Sequence, residues 1–445
     1  MLVSEKGSRV RANIICSYLI KGAAIIVGVL TIRAYMVFFS DHAILGVWYT
    51  ILAILSWILN FDLGIGNGLR NMLAKAFSDN DIGHAKELIS TGYVVLAPVC
   101  IIIAVVGCLL IAWIDWNSFF NIDVLTIGSS VLRFSMIVSF AGIVLQLYMK
   151  IVSSVLNAME KTALTSLLAL LTNIGILLFV LFFNVGNEQE RLAALSIAYL
   201  CAAVLPYAFA TLLVFTRSLS DARPAVSCAN MKLAREIVGL GGRFLLVQVA
   251  LMAITVTNEI YITWLFDASD VVEFQVYNKV FSTILVLYAV ASSPIWSAVA
   301  KSWHEHNIDW IRIVQAKLTK LSIVATLFTI LVCVILQPIV DIWLGSESIS
   351  VSLVAEGSFC LYTATMLFAY SISPIANGMS MLGVQMVCYA GAAIVKYPLC
   401  LALAGAFESW TVVVLANAII MIPYLIVQPI ALGKALNRRS LEISQ

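Results

Sequence analysis

Charge is what this sequence has least of. Only 11% of its 445 residues are Asp, Glu, Lys or Arg, whereas a soluble globular chain carries about 25%. Hydrophobic residues make up 62%, and the mean hydropathy is +1.01. A soluble core with a polar shell is therefore excluded, and a polytopic helical membrane protein remains. The net charge of +2 says little about partners, and nucleic acid is not expected among them. Other absences narrow the class further. The basic start MLVSEKGSRVRAN is followed by an apolar run over 14–39 that is too long for a signal-peptide core, and no small-x-small cleavage site follows it. The first span is therefore expected to be retained. The nine cysteines contain no CxxC pair and are scattered through apolar segments, as small buried hydrophobes are. The longest polar linkers, 70–86, 217–236 and 300–313, are too short to hold a soluble domain. There is no nucleophile elbow, P-loop or DxD motif, so neither ATP hydrolysis nor any other enzyme activity is expected. Gly64, Gly66 and Gly68 follow no strand and have the wrong spacing for a dinucleotide turn. His304 and His306 do not share a helix face and have no third ligand nearby, so no metal site is expected.

What the sequence does contain is apolar runs of about 20 residues, each long enough to span a bilayer. Twelve are expected, over 12–38, 44–68, 87–114, 125–149, 162–183, 192–216, 238–265, 274–299, 315–340, 350–373, 384–405 and 410–432. Alternate loops differ sharply in charge. One set holds nearly all the loop Lys and Arg. The other, around 39–43, 115–124, 184–191, 266–273, 341–349 and 406–409, holds eleven acids and only Arg191. By the positive-inside rule both termini are cytoplasmic, as an even number of spans requires. A shift of 226 residues lays Lys75, Phe77 and Ile82 over Lys301, Trp303 and Ile308, and Asp41 over Asp267. Asn157-Ala-Met159 matches Asn377-Gly-Met379 at nearly the same shift. The chain therefore reads as a six-span half over 1–216, a basic cytoplasmic linker over 217–236 and a second six-span half over 237–445, both halves in the same orientation.

Charge inside the spans is costly, from about 3 kcal/mol upward near the bilayer centre, and so marks function or pairing. Six bases (Lys21, Arg33, Arg133, Arg243, Lys279 and Lys396) face three acids (Asp62, Glu259 and Glu356). A cavity so lined attracts anions. Lys21, Arg133 and Lys396 lie about eight or nine residues from the nearer span end, about 12–14 Å at ~1.5 Å per residue. Arg243 and Lys279 lie near span ends, where they either serve the cavity or snorkel. Glu259 falls over Arg33 in the repeat; the two either pair, or Glu259 carries a proton. Pro294, Pro374, Pro398 and Pro423 are hinges or static kinks. The stretch 61–78, FDLGIGNGLRNMLAKAFS, joins Asp62 to Arg70 through its glycines and reads as a cytoplasmic elbow with a gate contact. Its counterpart is 287–304.

That stretch, extended to FDLGIGNGLRNMLAKAFSDND and preceded by Arg33 in the first span, resembles the Wzx-type O-antigen and polysaccharide flippases of the multidrug/oligosaccharidyl-lipid/polysaccharide exporter superfamily. The resemblance implies an all-α polytopic fold of about twelve transmembrane helices in two six-helix bundles, MATE-like, working by alternating access. It also implies a substrate, an oligosaccharide on undecaprenyl pyrophosphate moved from the cytoplasmic to the periplasmic leaflet of a bacterial inner membrane. An H+ or Na+ counter-ion, membrane lipids and polysaccharide polymerase or assembly proteins are the implied partners. On this reading Lys21, Arg33, Arg133, Lys279 and Lys396 bind the pyrophosphate. Asp62, Arg70, Glu259 and Arg243 serve coupling or gating. Asn67, Gln146, Asn173, Gln248, Asn258, Tyr261 and Tyr277 are candidates for the sugar. The competing readings are a drug or cation exporter on the same fold, against which the basic excess argues, and a membrane polymerase or glycosyltransferase, for which the outer loops are too short.

Overall fold

In the computed structural model, which describes residues 2–60, 65–183 and 186–444, the chain is helical, with no strand among the described residues. Lipid offers backbone groups no hydrogen bonds, so apolar runs must satisfy their own as helices. In chain order the helices are α1 (Leu2–Phe38), α2 (His42–Asn60), α3 (Ile65–Ser78), α4 (Ile82–Trp113), α5 (Trp116–Phe119), α6 (Ser129–Met149), α7 (Ile151–Ala158), α8 (Thr162–Phe182) and α9 (Glu188–Leu213). There follow α10 (Met231–Thr255), α11 (Asn258–Leu265), α12 (Asp270–His304), α13 (Ile308–Val334), α14 (Leu336–Leu344), α15 (Leu353–Gly378), α16 (Leu382–Ala404) and α17 (Thr411–Ser444). Eleven helical segments among the described residues are long and apolar enough to cross a membrane. The remaining expected span, 238–265, corresponds to α10 and α11.

The chain divides into two compact units, Met1–Leu245 and Leu246–Gln445. In the first, α6 packs along α9, and α1 along α8. The α6–α9 approach depends on Gly142, where an added Cβ would lie 2.8 Å from the Leu200 Cα. Ile101, Ile102, Val105 and Leu109 of α4 are exposed, as a lipid-facing surface requires. The 217–236 linker is tied to α4, with Ala225 N–H donating to Ser90 Oγ at 3.1 Å and Asn230 N–H to Thr91 Oγ1 at 2.9 Å. In the second unit α15 is central, packed by α12, α13 and α17. Its Phe359 ring stacks between Tyr277 and Phe281, at 5.5 and 5.3 Å between centroids.

The sequence repeat is present in the backbone. After α3 the chain reverses through Asn80 (φ 54°), with Asp81 N–H bonded to Ala76 O at 2.9 Å. After α12 it reverses through His306 (φ 60°), with Asn307 N–H bonded to Ser302 O at 2.9 Å. Both are Schellman closures, which satisfy the last carbonyls of a helix. Asp81 then caps α4 by accepting from His84 N–H, and Asn307 caps α13 by accepting from Trp310 N–H. A second pair recurs at Glu160 (φ 61°) and Ser380 (φ 57°), where Lys161 N–H meets Leu156 O and Met381 N–H meets Ala376 O, each at 2.8 Å. In the opposite loops Asp41 Oδ1 accepts from Ala43 N–H and Asp267 Oδ1 from Ser269 N–H.

In the run 44–68, residues 61–64 lie outside the described residues; α2 is described to Asn60, and Gly66 and Gly68 lie in α3. Three expectations need correction. Most of the polar linker expected at 70–86 is helix, because α3 is amphipathic and buries Leu69 and Leu73. Helix α6 begins only at Ser129, because 120–128 is held as a loop by Asn117 Nδ2 donating to Ile127 O at 2.8 Å. Arg133 thus lies about 6 Å from its helix end, at ~1.5 Å per residue, and not at mid-depth. The span 238–265 is broken at 256–257.

Candidate functional site

In the first unit the C-terminal ends of α1 and α8 enclose a groove of about 610 Å³. Leu30, Val37, Leu177, Leu181 and Phe182 give it apolar walls, and Arg33 and Arg191 supply charge. The Arg191 guanidinium is committed: it donates to Phe38 O at 2.7 Å and to Glu188 Oε1 at 2.9 Å. Arg33 is exposed and is the cation the groove offers to a ligand. A single guanidinium above a hydrocarbon wall suits an anionic group attached to an acyl or prenyl chain.

The other predicted cations lie apart. Lys21 is exposed on α1, its Nζ 5.9 Å from the Tyr18 ring centroid. Arg133 is exposed in the first turns of α6 and attracts the carboxylate of Asp115. Asp115 caps α5, and its acidity is raised chiefly by the hydrogen bond from Ser118, with Arg133 a lesser cause. Lys279 is half-buried on α12, and Arg70 is exposed on α3. Asp62 and the side chains of Arg243 and Asn67 lie outside the described residues. Of the sugar candidates, Gln146 and Tyr277 are core residues, and the Tyr277 hydroxyl accepts from Ser352 N–H at 2.8 Å.

Lys396 occupies a different kind of site. Helix α10 stops at Thr255 and α11 starts at Asn258. The sequence here is Thr255-Val256-Thr257-Asn258-Glu259, in which three residues can bond their own backbone and so compete with the helix ladder. Thr257 Oγ1 donates to Ala253 O at 2.8 Å, and Asn258 Nδ2 to Thr255 O at 3.1 Å. Into this break α16 sends Lys396, fully buried, whose Nζ donates to Ile254 O, to Thr257 Oγ1 at 2.8 Å and to Asn258 Oδ1 at 2.7 Å. The Tyr261 ring centroid is 5.0 Å from the ammonium. Asn417 Nδ2 donates to Asn258 Oδ1 at 2.8 Å. Glu259, also buried, accepts from Gln275 Nε2 at 2.8 Å on Oε1, while its Oε2 has no partner among the described residues. A lysine has three donors, and all three are used here, so none is left for a pyrophosphate. The signal missed in the sequence was the polar run 255–259, hidden within an apolar average.

No protein-family model matches the sequence. No curated protein sequence matches it either. Solved structures do. One, described as the inward-facing conformation of a multidrug resistance MATE family transporter of the MOP superfamily, aligns over 93% of this chain and 96% of its own, with TM-score 0.75 and 13% identity. A MATE transporter in complex with MaL6 aligns over 96% and 97%, with TM-score 0.64 and 13% identity. The Vibrio cholerae MATE transporter VcmN in its bent form aligns over 98% and 99%, with TM-score 0.61 and 13% identity. The chain has the MATE transporter fold. The all-helical architecture expected from the sequence is thus present, in a multi-pass membrane chain. Its neighbours are transporters and not enzymes, and at this identity the likeness carries fold alone.

Proposed function

We propose that this MATE-fold chain is a flippase for a lipid-linked oligosaccharide. It moves an undecaprenyl-pyrophosphate-linked repeat unit from the cytoplasmic to the periplasmic leaflet of a bacterial inner membrane by alternating access, with both termini cytoplasmic. The observation that carries this reading is the groove that puts exposed Arg33 against apolar walls, a combination suited to an anion on a hydrocarbon chain and ill-suited to a cationic drug. Lys21, Arg133 and Lys279 extend the cationic set. Lys396 leaves it, because its donors are spent. Glu259 and Asp62 are the coupling candidates, for H+ or Na+, and Arg70 and Arg243 the gating candidates. The second reading, a multidrug exporter, rests on the nature of the structural neighbours.

The test is reconstitution into proteoliposomes with a defined undecaprenyl-pyrophosphate oligosaccharide, its leaflet read by lectin access, beside efflux of a cationic dye. We expect lipid flux without dye efflux, and a loss of tenfold or more for Arg33→Glu that Arg33→Lys largely restores. Dye efflux with no lipid flux would establish the exporter instead. Imposed proton and sodium gradients, applied to Glu259→Gln and Asp62→Asn, then assign coupling. An unchanged response to both gradients removes these acids from the coupling role.

A further inference from the structure

We propose that the break between α10 and α11 is a monovalent-cation site filled by the chain's own Lys396. The inference does not depend on the identity of the transported substrate. Three oxygens of different kinds converge on the ammonium: the Ile254 carbonyl freed by the break, the Thr257 hydroxyl and the Asn258 amide oxygen. Unwound carbonyls at interrupted membrane helices are the groups that coordinate small cations in transporters. The amide of Asn258 is locked with its oxygen toward the ammonium, because its Nδ2 is engaged by Thr255 O and Asn417 Nδ2 reaches the same oxygen from behind. Tyr261 covers the site with its ring face, which attracts cations. Glu259, one residue further on, is a buried acid. The shell is thus oriented for positive charge by residues that do not themselves touch the ammonium.

A cavity meant for an anion would converge donors; here the fixed groups are acceptors. A tethered ammonium is present at saturating effective concentration, so a free ion cannot compete for the same oxygens. In the native chain the break therefore needs no dissolved cation to be complete. Removing the ammonium should create that need, because the Ile254 carbonyl and the Thr257 hydroxyl oxygen lose their buried donor and Asn258 Oδ1 keeps only the one from Asn417.

The experiment uses the full chain in detergent or nanodiscs, with thermal midpoints measured in choline, sodium, potassium, ammonium and methylammonium chlorides at equal ionic strength. The wild type should show no response to these cations that depends on Asn258. Lys396→Ala should melt lower in choline and be raised by ammonium or methylammonium, by about 2–4 °C or more, the shift expected for each kcal/mol of ligand binding to a unit of this size. Lys396→Gln, which keeps a polar side chain in the break, should show the same ordering. If neither variant survives purification in choline, both are prepared with ammonium throughout; folded protein recovered only with ammonium supports the proposal. Variants that are indifferent to the cation, variants recovered in no cation, or a wild type stabilised by sodium or potassium in a manner abolished by Asn258→Ala would each overturn it.

Discussion

At the scale of single residues, charge and partner decide what a side chain can do, and partners are what sequence does not show. Lys396 reads from sequence as a deep cation for substrate. Its three acceptors come from the break between α10 and α11, some 140 positions earlier, so only the fold reveals that it is spent. Arg33 shows the opposite outcome, because its exposure leaves its charge available. Asp341, near the C-terminal end of the short helix α14, gives a pH-dependent case outside the spans. Hydrogen bonds from Ser348 Oγ and then Gln337 Nε2 hold its carboxyl below the ordinary carboxylate range. A depressed folded value means that the bonded form contributes order above the unfolded pKa and loses it as pH falls through the folded one. We therefore expect the amide of Ser348, which follows the short turn after α14, to lose hydrogen-exchange protection on acidification. Ser348→Ala should move that loss to higher pH. An unchanged exchange profile in the variant would remove Ser348 as the cause.

At the scale of elements, local chemistry was legible wherever it was carried by consecutive residues. The match between 75–82 and 301–308 gives two helix ends and two helix starts with the same backbone closure, and the shorter match at 157–159 gives two more. The break at 256–257 was not legible, because a single polar run of five residues barely lowers the hydropathy of a 28-residue window, and the cation that stabilises it arrives from elsewhere. The four reversals make a sharp prediction. Non-glycine residues held in the left-handed region carry a backbone cost of roughly 1–2 kcal/mol, lower for Asn. Ser380 is exposed with φ 57°, so Ser380→Gly should stabilise the second unit by about 1 kcal/mol after the added unfolded-state entropy of glycine is subtracted. Asn80→Gly, at φ 54°, should gain less, since Asn already tolerates that conformation. Thermal or denaturant midpoints of the two variants measure the difference. Equal effects would show that the reversals do not limit stability.

At the scale of the whole chain, hydropathy alone carried the class. The compact units meet at Leu245 and Leu246, inside α10. The physical reason is that the connecting segment is not free. Ala225 and Asn230 are each anchored by their backbone N–H to α4, through Ser90 and Thr91, so the chain belongs to the first unit until it is well into α10. This separates two ways of cutting the protein. Val226 and Ser227 are exposed and lie between the anchors. Co-expressed fragments ending and beginning there keep every membrane helix whole, and each keeps one anchor to α4. Fragments cut between Leu245 and Leu246 sever α10 in mid-helix, leaving about four carbonyls on one piece and four N–H groups on the other without partners in lipid. We expect the 1–226 and 227–445 fragments to co-purify and to support transport at a large fraction of the intact rate. The 1–245 and 246–445 fragments should fail in both assays. Ser90→Ala combined with Thr91→Val removes the anchors and should weaken co-purification of the first pair while leaving the uncut chain active. Equal assembly of both pairs would mean that the division is set by proximity along the chain and not by these contacts.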